Sequence, residues 1–231
     1  MSLFAIGDLH LAIGEPDKTM EAFGGRWIGY VDKIRRGFDL LHEDDTCVIC
    51  GDFCWAMSLA EALPDFQFLN SLPGKKLMVK GNHDYWWTTA AKFYRFCEEN
   101  GFPDLYLLNN NCYFYNGIAL TGTRGWFFEE DAPDGSHNDK IFKRELLRLE
   151  ASLRAAGDTP EKLCFLHYPP RYRGYECPEI LALLERYGVK ECCYGHLHGS
   201  SHRLAIERVH HGVTYRLCAA DYTNFAPIRL R

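Results

Sequence analysis

Five short stretches of this chain end in side chains that can bind a metal ion or move a proton: Asp8 with His10, Asp52, Asn82 with His83 and Asp84, His167, and His196 with His198. Carboxylate and amide oxygens combined with imidazole nitrogens make a donor set that suits Mn²⁺, Fe or Zn²⁺. One carboxylate can bridge two cations. Two cations about 3.5–4 Å apart can clamp the attacking and leaving oxygens of an in-line displacement. Singly, the pieces are weak, because Asp-x-His is commonly a helix cap beside a surface histidine and Gly-Asp is commonly a turn. Gly195-His196-Leu197-His198 says more, since alternate residues of an extended segment point the same way. Five such pieces in one order, each behind an apolar run, argue against a coincidence of turns.

The apolar runs are Leu3 to Ile6, Cys47 to Cys50, Leu77 to Val79, Leu163 to Leu166 and Cys192 to Tyr194. Short continuous apolar runs read as strands buried on both faces. Between them, Ile28, Val31, Ile34, Phe38 and Leu41 keep a helical period, as do Phe142, Leu146, Leu149 and Leu153. Ser58 to Glu61 fits a capping box, with Pro64 as an interruption behind it. Thr88 or Thr89 caps a helix that stops at Gly101, and another helix from Pro178 stops at Gly188. Asn116-Gly117 sits where a hairpin would turn, and so does His211-Gly212, between runs near Leu204 and Val213. Strands alternating with helices imply an α/β fold with a largely parallel sheet and a mixed second one. In such sheets ligands bind at the carboxyl ends of strands, where all five polar stretches fall.

The chain has 231 residues, 47% hydrophobic and 25% charged, which excludes disorder, collagen and coiled coil and fits one domain over 1–231. Its formal charge of −5 gives no general surface for gripping a polyanion. No apolar run approaches the roughly 18 residues of a membrane span, and the first residues do not resemble a secretory leader. The 10 cysteines are too dilute for a disulfide scaffold. A soluble, cytoplasmic protein with reduced thiols is expected.

Asp8-x-His10, Gly51-Asp52, Gly81-Asn82-His83-Asp84, His167 and Gly195-His196-x-His198 together resemble the signature of the calcineurin-like metallophosphoesterases. The resemblance implies a two-sheet α/β/β/α sandwich with a metal site at the C-terminal ends of its strands. It implies two divalent ions, Mn, Fe or Zn. Asp8, His10 and His198 would hold one, Asn82, His167 and His196 the other, and Asp52 would bridge them. The implied reaction is hydrolysis of a phosphate mono- or diester by in-line attack of metal-activated hydroxide. His83 would protonate the leaving oxygen, and Asp84 would fix the His83 tautomer or cap the turn.

Substrate recognition is harder to read. Arg124, Arg171 and Arg173 follow predicted strands, and arginine suits bidentate phosphate contacts, although a solvated loop charge is the simpler reading of each taken singly. Trp86, Trp87, Trp126, Phe127, Phe128, Tyr168 and Tyr172 offer stacking surface or ordinary packing. Cys54 is read as a buried small hydrophobe in preference to a thiolate ligand, and His42, His137, His202, His210 and His211 as surface or hairpin residues. A phosphate ester is the expected partner. A nuclease of the same family, favoured less by the acidic balance, and a silent metal-binding scaffold for proteins are the rival readings.

Overall fold

Alternating side chains on buried strands set the layering. In the computed structural model, which describes residues 1–127 and 135–231, Leu3 and Ala5 of β1 (Leu3–Ile6) face one core while Phe4 and Ile6 face another. The same division runs through β2 (Thr46–Cys50) and β3 (Lys75–Val79): Val48, Cys50, Leu77 and Val79 turn one way, Cys47, Ile49 and Met78 the other. These strands and β4 (Leu105–Leu107) run parallel, with β13 (Ile228–Arg229) antiparallel at the edge, in the order β13-β1-β2-β3-β4.

The second sheet is ordered β11-β12-β10-β7-β6-β5. It contains β5 (Cys112–Tyr115), β6 (Ile118–Thr123), β7 (Glu161–Leu166), β10 (Glu191–Tyr194), β11 (Val209–His210) and β12 (Val213–Leu217). Its four central strands are parallel and its two edges antiparallel. Leu120, Leu163, Phe165 and Cys193 meet the inward residues of the first sheet. On the outer side of the first sheet lie α1 (Tyr30–Phe38), α2 (Leu63–Asn70) and α3 (Ala90–Asn100), through Ile34, Phe66 and Phe93. On the outer side of the second lie α4 (Gly135–Ala155) and α5 (Pro178–Arg186), through Leu149, Leu153, Ile180 and Leu184. The result is the expected α/β/β/α sandwich of two mixed sheets.

Local signals act as their chemistry requires. The Thr89 side chain accepts from Lys92 N at the start of α3, and Gly101 closes that helix at φ 69°. Asn116 and Gly117 turn the β5–β6 hairpin, with Tyr115 opposite Ile118. Two expectations shift. Pro64 lies in the first turn of α2 instead of interrupting a helix, since the amides of that turn have no partner within the helix. The strand before His211 is Val209–His210, whereas Leu204 ends a 3-10 turn over Gly199–Leu204; β8 (Arg171–Tyr172) and β9 (Tyr175–Glu176) make a separate small hairpin. Phe128 and the side chain of His137 lie outside the described residues. No helix among the described residues is long and apolar enough to cross a membrane.

A buried carboxylate on α4 anchors the loop after β6. Glu145 Oε1 accepts from Thr123 Oγ1 at 2.7 Å and Gly125 N at 2.8 Å, and the Arg124 carbonyl between them accepts from His167 N and Tyr168 N. Glu145→Ala would leave these buried donors unpaired. We predict a stability loss of about 2–3 kcal/mol by urea unfolding. A loss below about 0.5 kcal/mol would show that water replaces the carboxylate freely.

Candidate metal centre

Each donor-bearing loop leaves the carboxyl end of a parallel strand and is braced by a neighbour. Asp8 N donates to Gly51 O at 2.8 Å, His10 N to Asp52 O at 3.0 Å and Gly195 N to His167 O at 3.0 Å. The turns are sharp enough to put Asp8, His10, Asp52 and His196 at φ of 58°, 45°, 51° and 71°. Non-glycine residues in that region cost about 1–3 kcal/mol each and collect at functional sites. Two glycines give the carboxylates their room. A Cβ on Gly81 would lie 2.0 Å from Asp52 Oδ1, and one on Gly195 would lie 2.3 Å from Asp8 Oδ2.

All seven expected donors converge. Asp8, His10 and His198 form one group within 4.8 Å, and Asp8, Asp52 and His167 form another. His198 Nε2 lies 3.2 Å from Asp8 Oδ1 and 3.1 Å from His10 Nε2. His167 Nε2 lies 2.7 Å from Asn82 Oδ1, 3.3 Å from His196 Nδ1 and 3.4 Å from Asp52 Oδ2. Asp8 belongs to both groups, and Asp52 Oδ2 of the second also lies 3.7 Å from His10 Nε2 of the first. Donors about 2.0–2.2 Å from one ion, at tetrahedral or octahedral angles, stand roughly 3–3.6 Å from each other, so this spacing fits metal.

The electrostatics fit as well. Burial pushes the His10, His167 and His196 imidazoles down, His196 to about 3, which keeps them neutral with lone pairs available. Burial alone would raise Asp8, but His198, His167 and His10 hold it below the usual carboxylate range. Burial and the Asp8 charge push Asp52 up. Burial opposes protonation of His198, yet Asp8 and Asp221 together raise it to about 10. Burial also pushes the Cys54 thiol up, in keeping with a packed hydrophobe.

Around the donors the structure decides between readings that the sequence left open, and for Asp84 it is the turn cap. Asp84 does not contact the His83 ring. Its buried carboxylate accepts from Asp52 N, Phe53 N, Gly81 N and Trp86 Nε1 at 2.7–3.0 Å, so it organises the turn. His83 is instead placed by its own N–H, which donates to Asp52 Oδ1 at 2.8 Å, and by Trp55, 4.4 Å away between ring centroids. His83 Nδ1 is buried without a partner while the residue lines the cleft, and burial lowers the ring's pKa. Arg171 and Arg173 line a separate hollow with Arg208 and His210, and Arg171 is paired with Glu176 at 2.6 Å. The Arg124 guanidinium lies over Trp126, 5.9 Å from its ring centroid.

The missed residues are Asp221, His202 and Arg26. Asp221 Oδ1 accepts from His198 Nδ1 at 3.0 Å and His202 Nε2 at 3.1 Å, so His202 belongs to the site instead of the open surface. The signal was present: the apolar run from Leu217 to Ala220 ends in Asp221, as the other runs end in donors. Arg26, whose guanidinium donates to the Asp221 carbonyl, carries no comparable mark in the sequence.

A two-sheet sandwich with aspartate and histidine donors gathered at its strand ends defines a metal-dependent phosphoesterase. The chain belongs to the calcineurin-like phosphoesterase family, whose model matches residues 1–200. Among solved structures it is similar to the phosphopantetheinyl hydrolase of Mycobacterium tuberculosis, at 16% identity and TM-score 0.57, over 99% of this chain and 95% of that one. It is also similar to a protein of unknown function from Aquifex aeolicus, at 15% identity and TM-score 0.50 over the same shares. A Thermus thermophilus protein matches at 14% identity and TM-score 0.52, over 85% of this chain and 81% of that one. No curated protein matches the chain.

Because metal requires the unprotonated donors, the raised pKa values of Asp52 and His198 make loading proton-linked. Metal uptake near pH 7 should release protons, and affinity should rise between about pH 6 and about pH 8. Calorimetry in buffers of different ionisation enthalpy reads this directly; uptake without proton release would contradict it. Gly81→Ala should lower bound metal in elemental analysis while leaving the circular dichroism spectrum unchanged, because the added Cβ displaces Asp52.

Proposed function

We propose that this chain is a dinuclear phosphohydrolase acting on small phosphate mono- or diesters, with residues 1–231 forming one metallophosphoesterase domain. The observation that carries this reading is the position of Asp52 Oδ2, 3.4 Å from His167 Nε2 and 3.7 Å from His10 Nε2. A carboxylate there is shared between two donor groups. Asp8, His10 and His198 would hold one ion, and Asn82, His167 and His196 the other. Mn²⁺, Fe and Zn²⁺ all suit the set. Such ions supply neutralisation of phosphoryl charge and lower the pKa of water toward neutrality.

The chain's own residues supply the rest. His83 Nε2 holds a proton over the cleft and donates it toward the leaving oxygen as charge develops there. Asp84 keeps Asp52 and His83 in place by fixing the turns that carry them. Asp221 orients His198 through Nδ1, presenting Nε2 to the donor group. A polynucleotide would need a row of cations beside the site, yet the cavity next to His10, His83 and His198 is lined by Arg26 and mainly by apolar and aromatic residues, which supports a small ester over a nuclease. The phosphopantetheinyl hydrolase on this fold is in keeping with an organic phosphate ester. A silent scaffold would have no need of all seven donors and His83. Ten unpaired thiols fit a reducing compartment such as the cytoplasm.

Elemental analysis should find about two divalent ions per chain. The metal-loaded protein should hydrolyse members of a panel of monoesters, diesters and nucleotides. A metal-free protein indifferent to chelators would overturn the site. His83→Ala should lower kcat by about 100-fold with metal content retained. Unchanged turnover in that variant would remove His83 from the mechanism.

A further inference from the structure

The donor cluster opens into a cavity of about 540 Å³ that His10, His83 and His198 share with Met20, Phe23, Trp27 and Trp55. Cavities of this order enclose a ligand much larger than a phosphate group alone. Its wall on the side of residues 20–27 is aromatic and apolar. Trp27 meets the His198 ring edge-on at 5.8 Å and His10 at 6.1 Å, while Trp55 stacks on His10 at 4.9 Å. The aromatic surface is therefore continuous with the donors. Arg26 is spent on the Asp221 carbonyl.

Phe23 is 76% exposed within this cavity. A single exposed aromatic is ordinary, but this one is held in place. Met20 and Trp27, on either side of it in sequence, are buried in the core. Gly29 N donates to Glu21 Oε1 at 2.8 Å, and Lys33 Nζ donates to Arg26 O at 2.6 Å, tying the segment to α1. A side chain carried on an anchored backbone beside an aromatic wall costs less ordering when a flat group is inserted next to it.

We propose that this wall binds the alcohol-derived part of the substrate, that this part carries an aromatic ring close to the phosphate, and that Phe23 is a specificity-determining contact. The inference rests on the phosphohydrolase reading and narrows its substrate class.

The test compares benzyl phosphate with methyl phosphate, and benzyl methyl phosphate with dimethyl phosphate, whose leaving alcohols are chemically similar. In parallel, calorimetry compares benzylphosphonate with methylphosphonate on the metal-loaded protein, which requires no turnover. The benzyl compounds should be preferred about tenfold, and Phe23→Ala should cut that ratio to about threefold or less. Phe114→Ala, an exposed aromatic on the edge strand β5, should leave the ratio unchanged. Equal or undetectable binding of the two phosphonates, or a preference intact in Phe23→Ala, overturns the proposal. Ester turnover with no benzyl preference overturns it while the hydrolase reading stands. A phosphonate preference lost in Phe23→Ala, with no ester or nucleotide hydrolysed, supports the wall and overturns the hydrolase reading.

Discussion

One carboxylate holds the floor of the site together. Asp84 receives backbone donors from both the β2 loop, at Asp52 and Phe53, and its own turn, at Gly81, together with the Trp86 indole. It is buried, so each of those bonds is shielded from competing water. Through it, the left-handed turn at Asp52 and the approach of Gly81 become a single rigid unit. His83 then follows, because its amide is bonded to the carboxylate that this unit positions. Removing Asp84 would free two loops at once and leave four donors with nothing to meet.

The legible parts of this molecule are those encoded locally. Apolar runs that stop at Asp8, Asp52, Asn82, His167 and His196 mark strand ends, and period and capping mark α1, α3, α4 and α5. The donor set was readable because each member sits within a few residues of a strand end. What escaped depends on contacts remote in sequence. The direction of the Asp84 side chain is decided by the amides of Asp52 and Phe53, 32 and 31 positions away. Arg26 reaches Asp221 across 195 positions, which no local pattern records. His202 looks like a loop histidine until Asp221 is placed beside it. Pro64 could be read as breaking or starting a helix, and only the boundary at Leu63 decides.

The net charge of −5 suggested a poor partner for anions, but the site inverts that reading. Asp8 and Asp52 are buried among imidazoles that their surroundings keep neutral. Among the described donors, the one balancing positive charge is the proton on His198. The pocket is therefore complementary to a metal cation, and with metal bound an anion would meet the cation before it met the carboxylates. Local charge, set by what occupies the strand ends, governs the partner.

The cross-bracing of the loops has a consequence for how the molecule is assembled. Gly7 N donates to Cys218 O, Ala220 N donates to Gly7 O, and His196 N donates to Asp8. These pairs lie near opposite ends of the described chain, so they close only after most of the intervening residues are in place. Contacts of such high sequence separation form slowly and late. A complete donor set is thus a product of finished folding and cannot serve as its early template. Half-folded chains would present scattered carboxylates and imidazoles, with no preference for the geometry that the native loops impose.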